Sequence, residues 1–177
     1  MSNFKLERFT SEYIGLAWKF HVSPSSCDNP DLYETYLRCS AISEGNAGMG
    51  TTHIVLDRDA NKIAGYITWR ASSLISENSS GIKIVNPALE IAMLAVDRDY
   101  ERQKIGTALI KQTVATAEKI RTKLLGIRHI VVCPAPYSIG FYKKTKMFKP
   151  LNAIFEVLHD GNNDGCVPYF MTLPEHK

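Results

Sequence analysis

The stretch of sequence that decides the fold runs from Leu89 to Leu109 and reads LEIAMLAVDRDYERQKIGTAL. Together with Ala88, its first part is the most apolar strand candidate in the chain, and such a run is typical of a central, buried strand. A short charged turn, Asp97–Asp99, comes next. Apolar residues then recur every three or four positions, which predicts a helix with one apolar face from about Lys104 to Leu124.

The junction between this strand and this helix has the chemistry of an anion-binding site. The first N–H groups of a helix have no partner within the helix, and the helix dipole adds positive charge there. Gly106 lets a phosphate approach the backbone closely, and Arg102 and Lys104 add two positive charges. The spacings of the P-loop and of the dinucleotide fingerprint are absent. A glycine at this place alone is more consistent with an ordinary helix, so the prediction needs further support.

The rest of the chain predicts an α/β fold. Strands are predicted at Phe4–Phe9, His53–Leu56, Ile63–Trp69, Arg128–Cys133, Ile154–Leu158 and Tyr169–Leu173. Helices are predicted at Ser11–Phe20, Pro30–Ile42 and Ser138–Lys146, and the serine-rich stretch Ser72–Ile84 is expected to be a mobile excursion. The order strand, helix, strand from Ala88 to Cys133 predicts a right-handed crossover and a parallel pair. The sum is a mixed sheet with helices on its faces.

Composition sets the limits of the prediction. The chain has 177 residues, of which 45% are hydrophobic and 22% charged, and this is typical of a single soluble domain spanning residues 1–177. No apolar run approaches the ~20 residues of a membrane span, and the N-terminus lacks a secretion signal, so we expect a cytoplasmic protein without a membrane partner. The four cysteines have no metal-binding spacing and are expected to be free thiols. The net charge of +3 is too small to indicate nucleic-acid binding by itself.

Two motifs of the sequence resemble the GNAT superfamily of N-acetyltransferases. The first resembles the family's cofactor motif and consists of Leu94–Asp97, Tyr100 and Lys104–Ile110. The second follows at the expected distance and consists of Ile130–Val132, Phe141–Lys144 and Phe148, which comes one residue later than in the family's Y-x-K-x-G-F pattern. The resemblance covers about residues 53 to 150. It implies a GNAT-like fold, a mixed and mostly antiparallel sheet with a central parallel βαβ unit and helices on both faces.

The resemblance also implies a function and a set of site residues. The chain would be an acyltransferase that moves an acetyl group from acetyl-CoA, as co-substrate and without a metal, to a primary amine by direct attack. The strand would bind the pantetheine arm through its backbone, and the turn after it would bind the diphosphate through its amides. The implied cofactor-binding residues are Leu94, Ala95, Val96, Arg102, Gln103, Lys104, Gly106, Thr107 and Tyr142.

The chain departs from the family's usual diphosphate-binding pattern, Q/R-x-x-G-x-G/A. If the pattern is anchored on Tyr100 and Gly106, its first position falls on Glu101 and its first glycine on Lys104. If the pattern is moved by two residues, Gln103–Ala108 satisfies it literally but breaks the spacing from the strand. We favour the register that the spacing from the strand sets. In this register a lysine replaces the first glycine, so the backbone at Lys104 is expected to approach a phosphate less closely than in the family.

Two residues are candidates for the proton transfers of the reaction. Tyr142 matches the family tyrosine that protonates the departing thiolate, and the alternative is a tyrosine that only packs beside Phe141. Glu90 lies six residues before Val96, where some family members have the carboxylate that deprotonates the amine. A carboxylate within an apolar strand is costly unless it has a function; the alternative is that Glu90 faces solvent or pairs with a surface lysine. His53 and His129 are interpreted as packing residues.

The acceptor of the acetyl group is the least determined part of the prediction. The resemblance allows a small-molecule or protein amine and a homodimer. A narrower resemblance, to GNAT toxins that acetylate aminoacyl-tRNA, rests on Cys27–Leu37, Thr52–Val55 and Gly65–Ile67, and it implies tRNA and a small antitoxin protein as partners. The basic run of Lys143, Lys144, Lys146 and Lys149 would suit tRNA phosphates, an anionic substrate or the 3′-phosphate of the cofactor; the alternative is a solvated helix face. A different class, a non-catalytic acyl-CoA-binding module, has support only from the departure at Lys104.

Overall fold

The computed structural model describes residues 3–151 and 168–174, together with the backbone of residues 155–157. Its strands are β1 (Phe4–Arg8), β2 (Thr51–Asp57), β3 (Lys62–Glu77), β4 (Lys83–Val96), β5 (His129–Val132), β6 (Lys149–Pro150), β7 (Phe155–Val157) and β8 (Tyr169–Thr172). Its α-helices are α1 (Ile14–Ala17), α2 (Pro30–Thr35), α3 (Ala41–Asn46), α4 (Ile105–Lys123) and α5 (Ile139–Thr145). The structure thus contains both helices and strands along the chain, as the predicted α/β fold requires.

The chain forms two compact units. The first comprises the chain up to Arg70 together with Ala92–Ile110, and the second comprises Ala71–Ile91 and the chain from Lys111 onward. Strands β3 and β4 and helix α4 each contribute residues to both units. Each unit is therefore described separately.

The first unit contains an antiparallel meander. β1 pairs with β2 from Phe4↔Asp57 to Arg8↔His53, and β2 pairs with β3 from Thr51↔Trp69 to Asp57↔Lys62. The alternating and β-branched residues of these strands favour this pairing, and the residues of β3 from Ile63 to Trp69 are all buried. The fully buried side chains of this unit include Phe20, Leu37, Ile54, Tyr66, Ile67, Leu109 and Ile110.

The second unit contains the parallel pair. Ala88–Ile91 of β4 pairs in parallel with His129–Val132 of β5, which confirms the predicted parallel arrangement. β5 then pairs antiparallel with β8, and β8 with β6. Leu74, Ala88 and Val131 form a buried cluster in this unit.

The strands are hydrogen-bonded in the order β1-β2-β3-β4-β5-β8-β6, with β7 pairing with β3 outside this path. The sheet is mostly antiparallel, and the pair β4–β5 is its parallel element. This is the mixed, mostly antiparallel sheet that the sequence predicts.

Two expectations from the sequence are wrong. The serine-rich stretch Ser72–Ile84 is not an excursion, because β3 continues to Glu77 and β4 begins at Lys83. Residues Leu74–Ser76 of this stretch pair with β7. The strand therefore depends on a partner that is distant in the sequence, which the polar pattern of the stretch itself does not reveal. The expectation of free thiols is also wrong for Cys133, which is disulfide-bonded; Cys27 and Cys39 are free.

Candidate active site

The predicted anion-binding junction is a structured turn in the first unit. β4 ends at Val96, a 3₁₀ helix covers Arg98–Tyr100, and α4 begins at Ile105. We call residues 97–104 the β4–α4 turn. The buried carboxylate of Asp97 organises its start, because one oxygen accepts a hydrogen bond from the backbone of Asp99 at 2.9 Å and the other from the backbone of His21 at 2.9 Å.

The backbone of the turn adopts two left-handed conformations. Arg102 has a φ of 60° and Lys104 a φ of 66°. This region of φ is one that glycine adopts readily and other residues rarely. Lys104 therefore has the conformation expected at the first glycine of the family pattern, and this supports the register anchored on Tyr100 and Gly106.

The charges at the turn favour an anion. The side chains of Arg102, Gln103 and Lys104 are exposed, and within the described part of the chain no ion pair engages Arg102 or Lys104. The first turn of α4 contains no acidic residue. The amides that begin α4 precede the first i→i−4 bond, from Ala108 to Lys104 at 2.9 Å, so they are donors without a helical partner. The arrangement has the donors and the charge that a diphosphate requires.

Gly65 of β3 sets how closely α4 approaches the sheet. A Cβ at this position would lie 2.9 Å from Cγ2 of Ile105 and 3.0 Å from the carbonyl oxygen of Ala95. The first distance is shorter than real Cβ contacts and the second is tighter than most of them, so the absence of a side chain at residue 65 allows the start of α4 to lie this close to β3. The sequence does contain a signal for this role, since an isolated glycine within a strand indicates close approach of another segment.

A second buried carboxylate anchors the turn to the end of β2. The hydroxyl of Tyr100 donates to Oδ2 of Asp57 at 2.9 Å, and the edge of the Tyr100 ring meets Phe4. Burial and the Asp57 carboxylate raise the pKa of Tyr100 to about 12. Hydrogen bonds from the backbone of Ala60, from Tyr100 and from the backbone of Asp59 hold the pKa of Asp57 below its usual range. Tyr100 therefore stays neutral at physiological pH and anchors the turn to the end of β2.

The strand before the turn extends beyond its parallel partner. The pairing of β4 with β5 ends at Ile91↔Val132, whereas β4 continues to Val96. Leu94, Ala95 and Val96 therefore make no ladder bonds to β5. Backbone groups on that edge have the hydrogen-bonding pattern of an edge strand, which an extended ligand can use.

Glu90 is buried in the second unit. It has 3% of its surface exposed and stands opposite Val131 of β5, within a run of buried residues from Ala88 to Ile91. This contradicts the alternative of a solvent-facing carboxylate. A buried carboxylate on a strand is either held by a specific partner or available as a base.

Tyr142 is buried on α5, also in the second unit. The ring centroids of Phe141 and Phe148 lie 5.1 Å and 5.6 Å from the centroid of the Tyr142 ring, and both pairs are edge to face. The Tyr142 side chain is buried. α5 ends at Thr145, and its C-cap residue Lys146 has a left-handed φ of 58° and stands at the glycine position of the family's Y-x-K-x-G-F pattern. Met147 is then the additional residue before Phe148. The lysines at 143, 144, 146 and 149 are exposed.

The two histidines of the sheet have packing contacts. The rings of His53 and Trp69 lie 4.6 Å apart, and His129 contacts Phe170 and the hydroxyl of Thr172. Within the described ranges, no group of three or more potential metal ligands occurs. No described helix is long and apolar enough to span a membrane.

Comparisons with known proteins identify a matching family and solved structures that share the fold. The profile of the Acetyltransferase (GNAT) family matches residues 15–147. No sequence among the curated proteins matches.

Solved structures share the fold at low sequence identity. A bacterial toxin matches with a TM-score of 0.75 and 19% identity, over 98% of this chain and 92% of that chain. A tyrosine-to-phenylalanine mutant of the AtaT toxin, bound to the C-terminus of the antitoxin AtaR and acetyl-CoA, matches with a TM-score of 0.70 and 15% identity, over 97% and 94%. AtaT complexed with acetyl-methionyl-tRNAfMet matches with a TM-score of 0.71 and 15% identity, over 96% and 95%.

Proposed function

The chain belongs to the GNAT acetyltransferase family and is thus an acetyl-CoA-dependent acyltransferase, and we propose that it acetylates a primary amine by direct attack on the thioester. We also propose that both units belong to one catalytic domain, since the family match contains residues of each. The observation that carries the proposal is the β4–α4 turn, whose left-handed backbone and exposed cations fit a diphosphate.

We propose a role for each of the binding residues. Amides from Arg102 of the β4–α4 turn to Thr107 of the first turn of α4 bind the diphosphate of acetyl-CoA, and the side chains of Arg102 and Lys104 add charge. The backbone of Leu94, Ala95 and Val96 binds the pantetheine arm as an additional strand. The amide of Leu94 or Val96 binds the carbonyl oxygen of the thioester as negative charge develops on it.

The chemical step needs two proton transfers. The acceptor amine must be neutral to attack, and Glu90 accepts its proton directly or through water. The C–S bond breaks as the new C–N bond forms, and the thiolate takes a proton from the hydroxyl of Tyr142. The role of Tyr142 rests on its position in the second family motif and on its burial. The products are the N-acetylated amine and CoA.

The test is an assay of thiol release from acetyl-CoA with a panel of primary amines. We expect amine-dependent release that follows the formation of acetylated product. Tight binding of CoA without turnover on any amine would instead indicate the non-catalytic module. An absence of affinity for both CoA and acetyl-CoA would contradict the whole assignment.

A second candidate narrows the acceptor to the amino group of aminoacyl-tRNA. The observation that favours it is the near-complete overlap with toxin structures, one of which holds acetyl-methionyl-tRNAfMet. The exposed lysines at 143, 144, 146 and 149 supply positive charge for a phosphate backbone. Under this candidate, the chain acts in the cytoplasm, an antitoxin protein is its partner, and it forms a homodimer.

Charged tRNA in the same assay distinguishes the two candidates. We expect acetylation of aminoacyl-tRNA to weaken steeply as salt rises, because phosphate contacts release counterions. Replacing Lys143 and Lys144 with glutamate should then lower the rate with tRNA and leave the rate with small amines unchanged. Efficient turnover on small amines and none on charged tRNA would remove the second candidate.

A further inference from the structure

The segment from His21 to Ser26, which we call the N-terminal clasp, makes three contacts with the β4–α4 turn. The backbone N–H of His21 donates to Asp97 at 2.9 Å, and its carbonyl accepts from the backbone of Arg98 at 2.8 Å. The hydroxyl of Ser26 donates to Oε1 of Glu101 at 2.6 Å. All of these residues belong to the first unit. The clasp therefore contacts the turn at its start and again next to Arg102.

The buried carboxylate of Glu34 on α2 holds the clasp. Its Oε1 accepts from the backbone of Val22 at 2.9 Å, and its Oε2 lies 3.1 Å from Nδ1 of His21. Burial opposes its charge, but the amide of Val22 and the charges of Arg38 and His21 outweigh burial, so the pKa of Glu34 lies below its usual range. Glu34 is therefore charged at neutral pH, and both of its carboxylate oxygens contact the clasp.

Arg38 connects Glu34 to the chain that enters the clasp. Its Nη2 donates to Glu34 at 2.7 Å and to the carbonyl of Phe20 at 2.8 Å, and its Nε donates to the carbonyl of Ala17 at 3.2 Å. Arg38 lies on a π-helical segment, Tyr36–Ser40, between α2 and α3. Such segments occur often at functional sites because they redirect side chains. Here the Arg38 guanidinium pairs with Glu34 and also donates to the carbonyl groups of Ala17 and Phe20, at and just after the end of α1.

We propose that Glu34 and Arg38 are positioning residues for acetyl-CoA, because they hold the clasp, and the clasp holds the β4–α4 turn in the conformation that binds the diphosphate. This inference rests on the proposed function. It adds that the affinity for the diphosphate depends on Glu34 of α2 and on Arg38 of the π-helical segment, which act on the turn through the clasp. A turn with two non-glycine residues at positive φ needs such support, because isolated loops do not favour that conformation.

The experiment compares two acetyl donors in the Glu34→Gln variant. Glutamine keeps the shape of the side chain but presents an amide group to donors that need acceptors. One donor is acetyl-CoA, and the other is S-acetylpantetheine, which has the thioester but neither diphosphate nor adenosine. We expect the ratio of kcat/KM for acetyl-CoA to that for S-acetylpantetheine to fall about tenfold, with the loss in KM for acetyl-CoA and not in kcat.

Two further variants make the comparison specific. Ser26→Ala removes only the exposed end of the clasp, so it folds even where Glu34→Gln does not, and we expect the same ratio to fall about threefold. Glu44→Gln is the matched control, because Glu44 accepts from the hydroxyl of Tyr36 at 3.0 Å on the neighbouring helix without contacting the clasp. Its ratio should equal that of the wild type.

The outcomes separate the inference from the proposed function. If wild-type protein uses neither donor, the proposed function fails. Suppose that wild-type protein uses acetyl-CoA. If Glu34→Gln and Ser26→Ala then lower kcat/KM equally for both donors, so that the ratio does not change, the positioning role is overturned. A fall in the ratio with unchanged kcat supports it, since a general loss of folded protein lowers both donors alike.

Discussion

Lys104 and Lys146 have the same unusual property, a left-handed backbone without glycine. Their φ angles are 66° and 58°, and both stand at positions where the family patterns have glycine. A non-glycine residue pays about 1 kcal/mol or more for this conformation. At Lys104 this conformation lowers the stability of the fold. In the proposed function, the positive charge of the same residue attracts the diphosphate to the β4–α4 turn.

Substitution at Lys104 separates these two effects. Lys104→Gly and Lys104→Ala remove the same charge, but only glycine relieves the strain. We expect the glycine variant to be more stable than the alanine variant by about 1 kcal/mol in urea unfolding, which reverses the usual ranking of these residues. We expect both variants to bind CoA more weakly than wild type. A more stable alanine variant would show that residue 104 is not left-handed in solution.

Tyr142 is tested by removing its hydroxyl alone. Tyr142→Phe keeps the ring that packs against Phe141 and Phe148, so we expect the affinity for CoA to stay at the wild-type level. We expect kcat to fall about 10²-fold, the usual range for loss of a general acid. Tyr137→Phe, on the preceding 3₁₀ helix, is the control. An unchanged rate of the chemical step, measured in a single turnover, would leave Tyr142 with a packing role only.

Glu90 has a different signature, because its contribution depends on the protonation of the acceptor. Glu90→Gln should lower kcat/KM about 10²-fold at neutral pH, where a lysine-like amine with a pKa of about 10.4 is almost fully charged. The deficit should shrink as pH rises, since more of the amine is already neutral. A deficit that stays constant from pH 7 to about pH 10 would indicate a structural role.

Residue-level prediction from sequence succeeded where the cause is local. The helix predicted to begin at Pro30 does begin there, and the side chain of Asn29, a residue type that favours this position, caps it by accepting from the backbone of Leu32 at 3.3 Å. The apolar neighbours of Glu90 left open whether its side chain is buried or faces solvent, and the structure shows that it is buried. The roles of Ser26 and Glu34 could not be predicted, because their partners lie far along the chain and no spacing encodes them.

At the scale of elements, the sequence predicts best where periodicity is strong. α4 was predicted at Lys104–Leu124 and is observed at Ile105–Lys123. The helix predicted at Ser11–Phe20 is instead a 3₁₀ turn followed by the short α1. The polar half of β3 was missed because its pairing with β7, and not its own pattern, makes it a strand.

The contact between α4 and the sheet gives a prediction at this scale. Gly65→Ala places a methyl group against the carbonyl of Ala95, which cannot move without distorting β4. We expect a loss of about 1–3 kcal/mol in the free energy of unfolding, together with weaker CoA binding, because the start of α4 must shift. Gly15→Ala on α1 is the control, since nothing lies within 4 Å of its added methyl group. Equal stabilities of the two variants would contradict the close approach.

At the scale of the whole molecule, the sequence determines the fold and the co-substrate better than the acceptor. The parallel pair was predicted from one crossover, and the anion-binding junction was predicted from the residues at the start of α4. Acceptor recognition instead depends on side chains brought together from loops, which no local pattern specifies. The exposed lysines of α5 show the difficulty, because their charge is equally suited to solvent and to tRNA.

The pH dependence of stability tests the buried ionisable groups together. Burial and the charge of Arg8 lower the pKa of His53 below 6.5, and burial and Arg128 do the same for His129. The pKa of Glu34 lies below 4.5 and that of Asp57 below 3.8. In each case the unfolded chain binds protons at a higher pH than the folded protein, so stability falls as pH falls. The expected loss begins near pH 6.5 with the histidines and steepens below pH 4.5 with the carboxylates.

One variant isolates the first phase of this loss. His53→Phe keeps an aromatic ring beside Trp69, and Nδ1 of His53 has no hydrogen-bond partner to lose. Urea unfolding between pH 7 and pH 5 should therefore show a shallower decline for the variant than for wild type, while the decline below pH 4.5 stays the same. Parallel curves over the whole range would mean that His53 titrates alike in the folded and unfolded chains. The acid limit of the fold would then be set by the carboxylates that anchor the β4–α4 turn, and CoA affinity should be lost over the same range of pH.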